Sequence, residues 1–388
     1  MGPEPHSDWA YYWQAAGDLS LYRRGGLDLW LLSIPKAVGL SPVASALALN
    51  LPSVIVVFLV AWAAGRGLRW PAGLAIVYLG LLTPYFGIVQ LDLIAAAQIA
   101  GAFWLWFRGG RPAWTLAVAL LIMAVSTKPQ YALTLWAMLG LMLPFAWFRD
   151  RGKVLSLTAM LAVGSVSGFA VDIGLRHASG NAEAIRTTSA VTLYGGLLVS
   201  GTGEGCGAWS VEAGEAAKAD LGRPLATVVV ERLRSQSASH WWAIMRCKLP
   251  DIVVPYPYAV YWLVESPNIR ARIDAVPDRN RLQAQYVRAL RVERQVHGVL
   301  VALILGSVLA VSGWLAWRRE WSLAAVPAAW VLSFWGVHLV FEIQGRYFLG
   351  LLLLAPIISA FVLRHASRTP YRSSGRTSAS KQIEGASS

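Results

Sequence analysis

The chain has 388 residues, of which 56% are hydrophobic and only 14% charged, and its mean hydropathy is +0.49. Soluble domains carry roughly a quarter charged residues, so these proportions exclude an ordinary soluble fold and point to a membrane protein. The formal net charge of +13 does not signal a nucleic-acid partner, because no zinc-finger or phosphate-loop spacing accompanies it; in a membrane protein such charge serves topology and anionic head groups.

In chain order, residues 1–42 come before the first long apolar stretch. Trp9, Tyr12, Trp13 and Ala16 recur at helical spacing and predict a short helix lying on the membrane surface. Asp8 stands at its front, where a carboxylate serves as a cap or first-turn acid. A second amphipathic piece presents Leu27, Trp30, Leu31 and Ile34 on one face and is expected to end at Pro35. Apolar stretches follow over 43–65, 71–85, 92–107, 113–127, 129–148 and 154–175, and again over 296–317, 321–341 and 346–363. Several fall short of the ~20 residues a perpendicular span needs. The short ones come in tight pairs broken by polar kinks, at Thr83-Pro84-Tyr85 and Lys128-Pro129. Segment 176–295 reads as a long polar outer loop. Within it Ile252–Leu263 is apolar but short and doubly prolyl, as an interfacial segment would be. The end, 364–388, is rich in Ser, Arg, Gly and Thr and reads as a disordered cytoplasmic tail. The expected fold is an all-α polytopic membrane bundle of about nine spans, in an N-terminal part (43–175) and a C-terminal part (296–363).

Basic residues set the orientation. One set of short loops holds Arg66, Arg69, Arg108, Arg111, Arg149, Arg151, Lys153, Arg318 and Arg319, and the tail adds five more Arg and Lys. The alternate set holds Lys128 and Arg346. The positive-inside rule places the first set in the cytoplasm, so Asp8, Asp92, Lys128, Glu342 and Arg346 face outward together. Residues 1–42 would then lie outside with no anchor before them, and a further transmembrane helix is expected upstream. Cys206 and Cys247 would both be outside. One bridge or two free thiols both fit.

The outward charges are the candidate site. Charge at the mouth of apolar helices is expensive to keep and marks function by default. Asp8 and Asp92 are two acids on one side, suited to deprotonating a hydroxyl or to binding a divalent cation, Mg or Mn, through oxygen. No other cofactor is expected. Lys128 and Arg346 suit a phosphate or pyrophosphate. Tyr347 is expected beside Lys128 and Arg346 in the phosphate site; Glu342 is expected either to pair with Arg346, the favoured reading, or to contact the ligand, and with Tyr12 and Gln344 it supports the site. Lys248, in Arg246-Cys247-Lys248, is either a further phosphate contact or a solvated charge. His177, His240 and His338 lack ligand spacing and read as structural.

The Asp-aromatic segment from Ser7 to Ala16, the second acid Asp92, the Lys128-Pro129 turn, the long outer loop and Glu342-x-x-Gly345-Arg346-Tyr347 together resemble the GT-C superfamily. These are multi-pass glycosyltransferases that use polyprenyl-phosphate-linked sugars, among them protein O-mannosyltransferase-like and aminoarabinose-transferase-like enzymes. The resemblance implies an inverting, metal-optional transfer in the cell membrane, with the active site extracytoplasmic. Asp8 would be the general base, Asp92 would position the acceptor or a cation, and Lys128 and Arg346 would hold the lipid phosphate. The acceptor would be a glycan, lipid or protein. The chain departs from the pattern in two ways: the usual first helix is absent, and Trp9 follows Asp8 where many relatives carry an acid. A transporter or flippase of a lipid-linked anion, and a surface-glycan polymerase or ligase, are the competing readings.

Overall fold

The computed structural model describes residues 3–5, 7–18, 20, 26–66, 70–89, 91–147, 151–180, 184–197, 206–207, 210–220, 223–264 and 266–368. Among these, every regular element is helical, and there are seventeen α-helices. First come α1 (Ser7–Ala15) and α2 (Gly26–Ala37). Six bundle helices follow: α3 (Pro42–Ala64), α4 (Trp70–Leu81), α5 (Leu91–Arg108), α6 (Arg111–Thr127), α7 (Gln130–Met142) and α8 (Arg151–Ala178). The intervening region holds α9 (Ala184–Leu197), α10 (Val211–Lys218), α11 (Leu225–Arg234), α12 (Ala238–Val253), α13 (Ala259–Val264) and α14 (Pro267–Ala275). The bundle closes with α15 (Arg279–Trp317), α16 (Trp321–Val340) and α17 (Leu349–Arg368).

Five helices, α3, α8, α15, α16 and the one ending the bundle from Gly345, are long and apolar enough to cross a membrane, while α4, α6 and α7 are shorter. A helix nonetheless occupies each apolar stretch expected from the sequence. The centre is α17, whose apolar run is buried throughout and packs on α3, α4, α5, α15 and α16. A helix apolar on all sides suits that position, since no face of it needs water. Beside it, α5 presents Ala95, Ala96, Ala97, Ala100 and Ala102, all buried, and small side chains let helix backbones approach. Helices α6 and α8 also pack closely. There Gly164 and Gly168 lie one turn apart against Leu121, Ile122 and Val125, and the Ser126 hydroxyl donates across to the Gly168 carbonyl at 3.0 Å. Outward, α3 exposes Leu51, Ile55, Phe58, Leu59 and Trp62, an apolar surface that a bilayer would cover.

Three expectations need correction. The Trp9 and Tyr12 stripe of α1 does not face lipid: both rings are buried in the main core with Ala15 and Ala16. On α2, Pro35 does not stop the helix, which runs on to Ala37. It is Leu32 that is buried, while Trp30 and Ile34 are exposed and Leu27 and Leu31 are partly so. This helix rests on α3, α6 and α8. Lastly, no boundary falls at 295/296, because α15 runs unbroken from the outer region into the bundle, a rod of about 58 Å at 1.5 Å per residue. The tail beyond Arg368 lies outside the described residues, and α17 itself continues past position 363.

Between α8 and α15 the chain folds over the bundle end. Leu193, Leu197, Val228 and Ile244 make a small second core, and Cys206 is joined to Cys247 across 41 residues of sequence. Asp220 accepts hydrogen bonds from Tyr194, Arg223 and Arg232. Burial pushes its carboxyl up, but these donors prevail and hold it below the usual range.

Replacing Gly168 with Val would force a Cβ to 2.7 Å from the Val125 side chain and 2.9 Å from the Ile122 carbonyl. Overpacking of this kind costs about 1–3 kcal/mol. A lowered thermal midpoint for Gly168→Val in detergent, with Gly174→Ala unchanged as control, is the expected outcome; nothing lies within 4 Å of a Cβ at Gly174.

Candidate functional site at the Arg346 end of the bundle

The site is assembled from the ends of helices, each fixed locally. Asn50, buried on α3, donates through Nδ2 to the carbonyls of Phe86 (2.9 Å) and Ile88 (2.6 Å). These bonds fasten the loop between the Thr83–Tyr85 turn and α5, and so set Asp92 in the first turn of α5. Lys128 ends α6, and its Nζ lies 3.2 Å from Asp92 Oδ2, with the two side chains 12% and 5% exposed. Across from them, His338 near the end of α16 contacts Gln130 Nε2 at 3.1 Å and the Glu342 carbonyl at 2.9 Å. Its ring stacks on Tyr347 with centroids 5.7 Å apart, so the histidine holds the Glu342–Tyr347 motif in place.

Gly345 explains how a second layer reaches the motif. A Cβ there would sit 1.9 Å from the Tyr256 carbonyl, so only glycine lets residues 254–258 cross directly above. That crossing carries α13 over the Thr83–Tyr85 turn. The doubly prolyl stretch is therefore a lid of irregular chain and a short helix, too short to span, with Ile252, Ala259 and Trp262 turned inward. Burial pushes the Tyr258 phenol up, which keeps its proton on.

Arg346 is the hub. Its Nη2 is hydrogen-bonded to Asp8 Oδ2, in an ion pair whose members are separated by 338 positions in sequence. Its guanidinium lies 5.4 Å from the Trp262 ring and 5.4 Å from the Tyr347 ring, while Lys128 Nζ lies 5.1 Å from Tyr347. Tyr85 interacts electrostatically with Arg346, Asp92 and Asp8 alike, and Tyr12 with Arg346. Two acids and two cations thus share one aromatic-walled neighbourhood. Each cation there is paired. An anion arriving at this end would meet a guanidinium and an ammonium whose present partners are carboxylates.

The expected residues fare differently. Asp8, Asp92, Lys128, Arg346, Tyr347 and Tyr12 come together. Glu342 is not the partner assigned to Arg346 from sequence; its Oε1 accepts from Gln344, and its backbone N–H donates to Thr192. Lys248 is neither a phosphate contact nor a solvated charge. It is fully buried, and its Nζ donates to the carbonyls of Gly196 (3.0 Å), Leu339 (3.1 Å) and Phe341 (2.8 Å). Burial pushes its pKa down to about 7 while Glu342 pulls it back up. Three carbonyls require three N–H donors, which only the ammonium supplies. Asp8 and Asp92 reach separate cations, so as arranged they do not converge on one metal. Among the described residues no three of His, Cys, Asp and Glu are grouped to hold one.

Sequence reasoning missed Asn50, Tyr85, Gln130 and Trp262. A lone Asn within a 23-residue apolar helix is the one signal that was visible; the aromatic residues are indistinguishable from the many boundary rings. At the other end of the bundle, Lys153 meets His365 at 3.3 Å and Arg364 donates to the Ala63 carbonyl at 2.5 Å. The basic loops and the Arg346 cluster therefore occupy opposite ends. No protein-family model, curated protein or solved structure matches the chain.

Lys248→Met would leave three buried carbonyls without donors, each worth about 1–3 kcal/mol. The expected result is loss of folded protein, or a large drop in thermal midpoint, with ligand affinity unchanged in whatever folds. A stable variant with weakened phosphate binding would return Lys248 to the ligand site.

Proposed function

We propose that this chain is an integral-membrane glycosyltransferase that moves a sugar from a polyprenyl-phosphate donor to an acceptor hydroxyl outside the cytoplasm, with inversion. The observation that carries the reading is the convergence of Lys128 and Arg346 on one ring, Tyr347, each paired with an acid, Asp92 and Asp8, at one bundle end. A lipid phosphate brought there exchanges for the carboxylates: it takes over Arg346 and Lys128 and frees Asp8. Asp8 then accepts the proton of the acceptor hydroxyl as that oxygen forms its bond to the anomeric carbon. The bond from that carbon to the phosphate breaks, its electron pair leaves with the lipid phosphate, and the two cations stabilise the growing charge in a site poor in water.

The reading takes all nine apolar stretches as spans in the cell membrane, with the basic loops cytoplasmic. The Cys206–Cys247 bridge supports it, since disulfides persist in oxidising compartments. It lies on the Arg346 side: the Gly207 carbonyl accepts from the Ile343 N–H at 2.7 Å. A flippase would need a route through the bundle, and α17 fills the centre, which favours transfer over transport. A polymerase or ligase shares this chemistry and differs in its acceptor.

Purified protein incubated with a panel of polyprenyl-phosphate sugars and acceptor extracts should release lipid phosphate. Asp8→Asn keeps a hydrogen-bonding oxygen for Arg346 and should lower turnover by about 10²–10⁴ with the fold intact. Arg346→Ala should lower turnover by about 10²–10³. Full turnover in Asp8→Asn removes it as the base. Orientation is tested separately: cysteine placed at the exposed Tyr256 should react with an impermeant thiol reagent outside intact cells, and cysteine at the exposed Trp317 should react only after lysis.

A further inference from the structure

Before it enters the bundle, α15 stands largely clear of the rest of the molecule. None of its residues from Arg279 to Val292 is buried, although helices in proteins owe most of their stability to packing of one face. The charge on this part is one-sided. From Arg270 to Arg294 the chain carries seven arginines, every one exposed, against Asp274, Asp278 and Glu293. Those acids are already engaged. Asp274 lies 3.3 Å from Arg279 and Asp278 lies 3.9 Å from Arg281, while Glu293 is buried with Oε1 on the Val260 N–H. Among the described residues no carboxylate pairs with Arg288 or Arg291.

These two arginines border an open groove of about 520 Å³ along the helix, lined also by Asn280, Gln283, Ala284 and Val287. Asn280, Gln283, Val287, Arg291 and Arg294 recur at spacings of three and four, so they share one face. That face is about 21 Å long at 1.5 Å per residue. Its lower end meets the candidate site. Arg294 Nη1 donates to the Tyr256 hydroxyl at 2.8 Å, and the Tyr256 carbonyl is the atom that crosses Gly345, next to Arg346.

The lining describes its occupant. Guanidiniums without a carboxylate take carboxylate or phosphate groups, and the amides of Asn280 and Gln283 both donate and accept, as hydroxyls require. No aromatic ring lines the groove, whereas single-stranded nucleic acid is held by stacking on such rings. Lipid head groups do not reach its upper end. Asn280 lies about 24 Å along the helix from Val296, where the apolar stretch begins, and the head-group layer is only about 5–8 Å deep.

We infer that this face of α15 docks the acceptor, and that the acceptor is a linear glycan carrying carboxylate or phosphate groups, whose end is led to the Arg346 cluster. The inference rests on the proposed function for what happens at that end.

The test is fluorescence anisotropy on the purified full chain in nanodiscs of neutral lipid. Labelled oligogalacturonate is compared with a neutral dextran of the same length and with a single-stranded oligonucleotide of the same charge. Oligogalacturonate should bind ~10-fold or more tighter than dextran. Arg288→Gln/Arg291→Gln should remove that preference. Arg272→Gln/Arg281→Gln takes the same charge from exposed positions outside the groove lining and should keep the affinity within about twofold. Thermal midpoints are measured for both variants. Equal losses in the two variants, no loss in Arg288→Gln/Arg291→Gln, or equal binding of dextran would overturn the surface. So would tighter binding of the oligonucleotide, or displacement of the glycan when phosphatidylglycerol is added to the nanodisc. Failure of the proposed reaction looks different: the glycan preference and its loss in Arg288→Gln/Arg291→Gln persist, while no lipid phosphate is released from any donor.

Discussion

The Asp8–Arg346 ion pair holds the architecture of this end of the molecule together. A guanidinium 7% exposed at the end of an apolar bundle needs an anionic partner, because desolvating a charge is far more costly than desolvating a pair. That requirement draws the N-terminal helix onto the bundle from 338 positions away. Once α1 is there, Trp9 and Tyr12 are buried with it. The lid segment lays Trp262 beside the same guanidinium. Three distant parts of the chain meet around one charge.

The second pair, Asp92 with Lys128, repeats the arrangement on shorter range, and Tyr347 lies beneath both cations. The cluster is thus neutral as a whole. A neutral, internally paired cluster can persist in an apolar setting, and on the proposed function a phosphate would replace the carboxylates, accepting from both Arg and Lys. The same exchange would liberate an acid to act as a base. On the proposed function, substrate binding and activation of the base would be one event.

Lys248 shows the opposite use of a cation. Its charge closes the carbonyl ends of α9 and α16 from within, the role that solvent or a capping residue fills at ordinary helix ends. Its neighbour Cys247 is tied to Cys206, so a charge and a covalent bond pin the same short stretch of α12 beneath the site. The lid can then cross Gly345 on a rigid support.

By itself the sequence determined the bundle helices, the nine apolar stretches they occupy, and which end of each carries charge, but not the helices between α8 and α15. Hydrophobicity and length are local quantities, and in this chain they place a helix at every apolar stretch, though α15 begins well before its stretch and α17 runs past its own. It also made the convergence of Asp8, Asp92, Lys128 and Arg346 legible, because alternating loop charge sorts residues into two ends. Pairing was hidden. Glu342 stands four positions from Arg346 and Asp8 stands 338 away, and sequence proximity favours the wrong acid. The direction of the α1 stripe was hidden too, since lipid and protein interior are equally apolar and a greasy helix face reads the same for both. Neither Glu293 nor His297 stood out in the sequence. Only the tertiary fold, by laying the 254–260 segment over α15, decided that both would be buried and that Glu293 would accept the Val260 N–H.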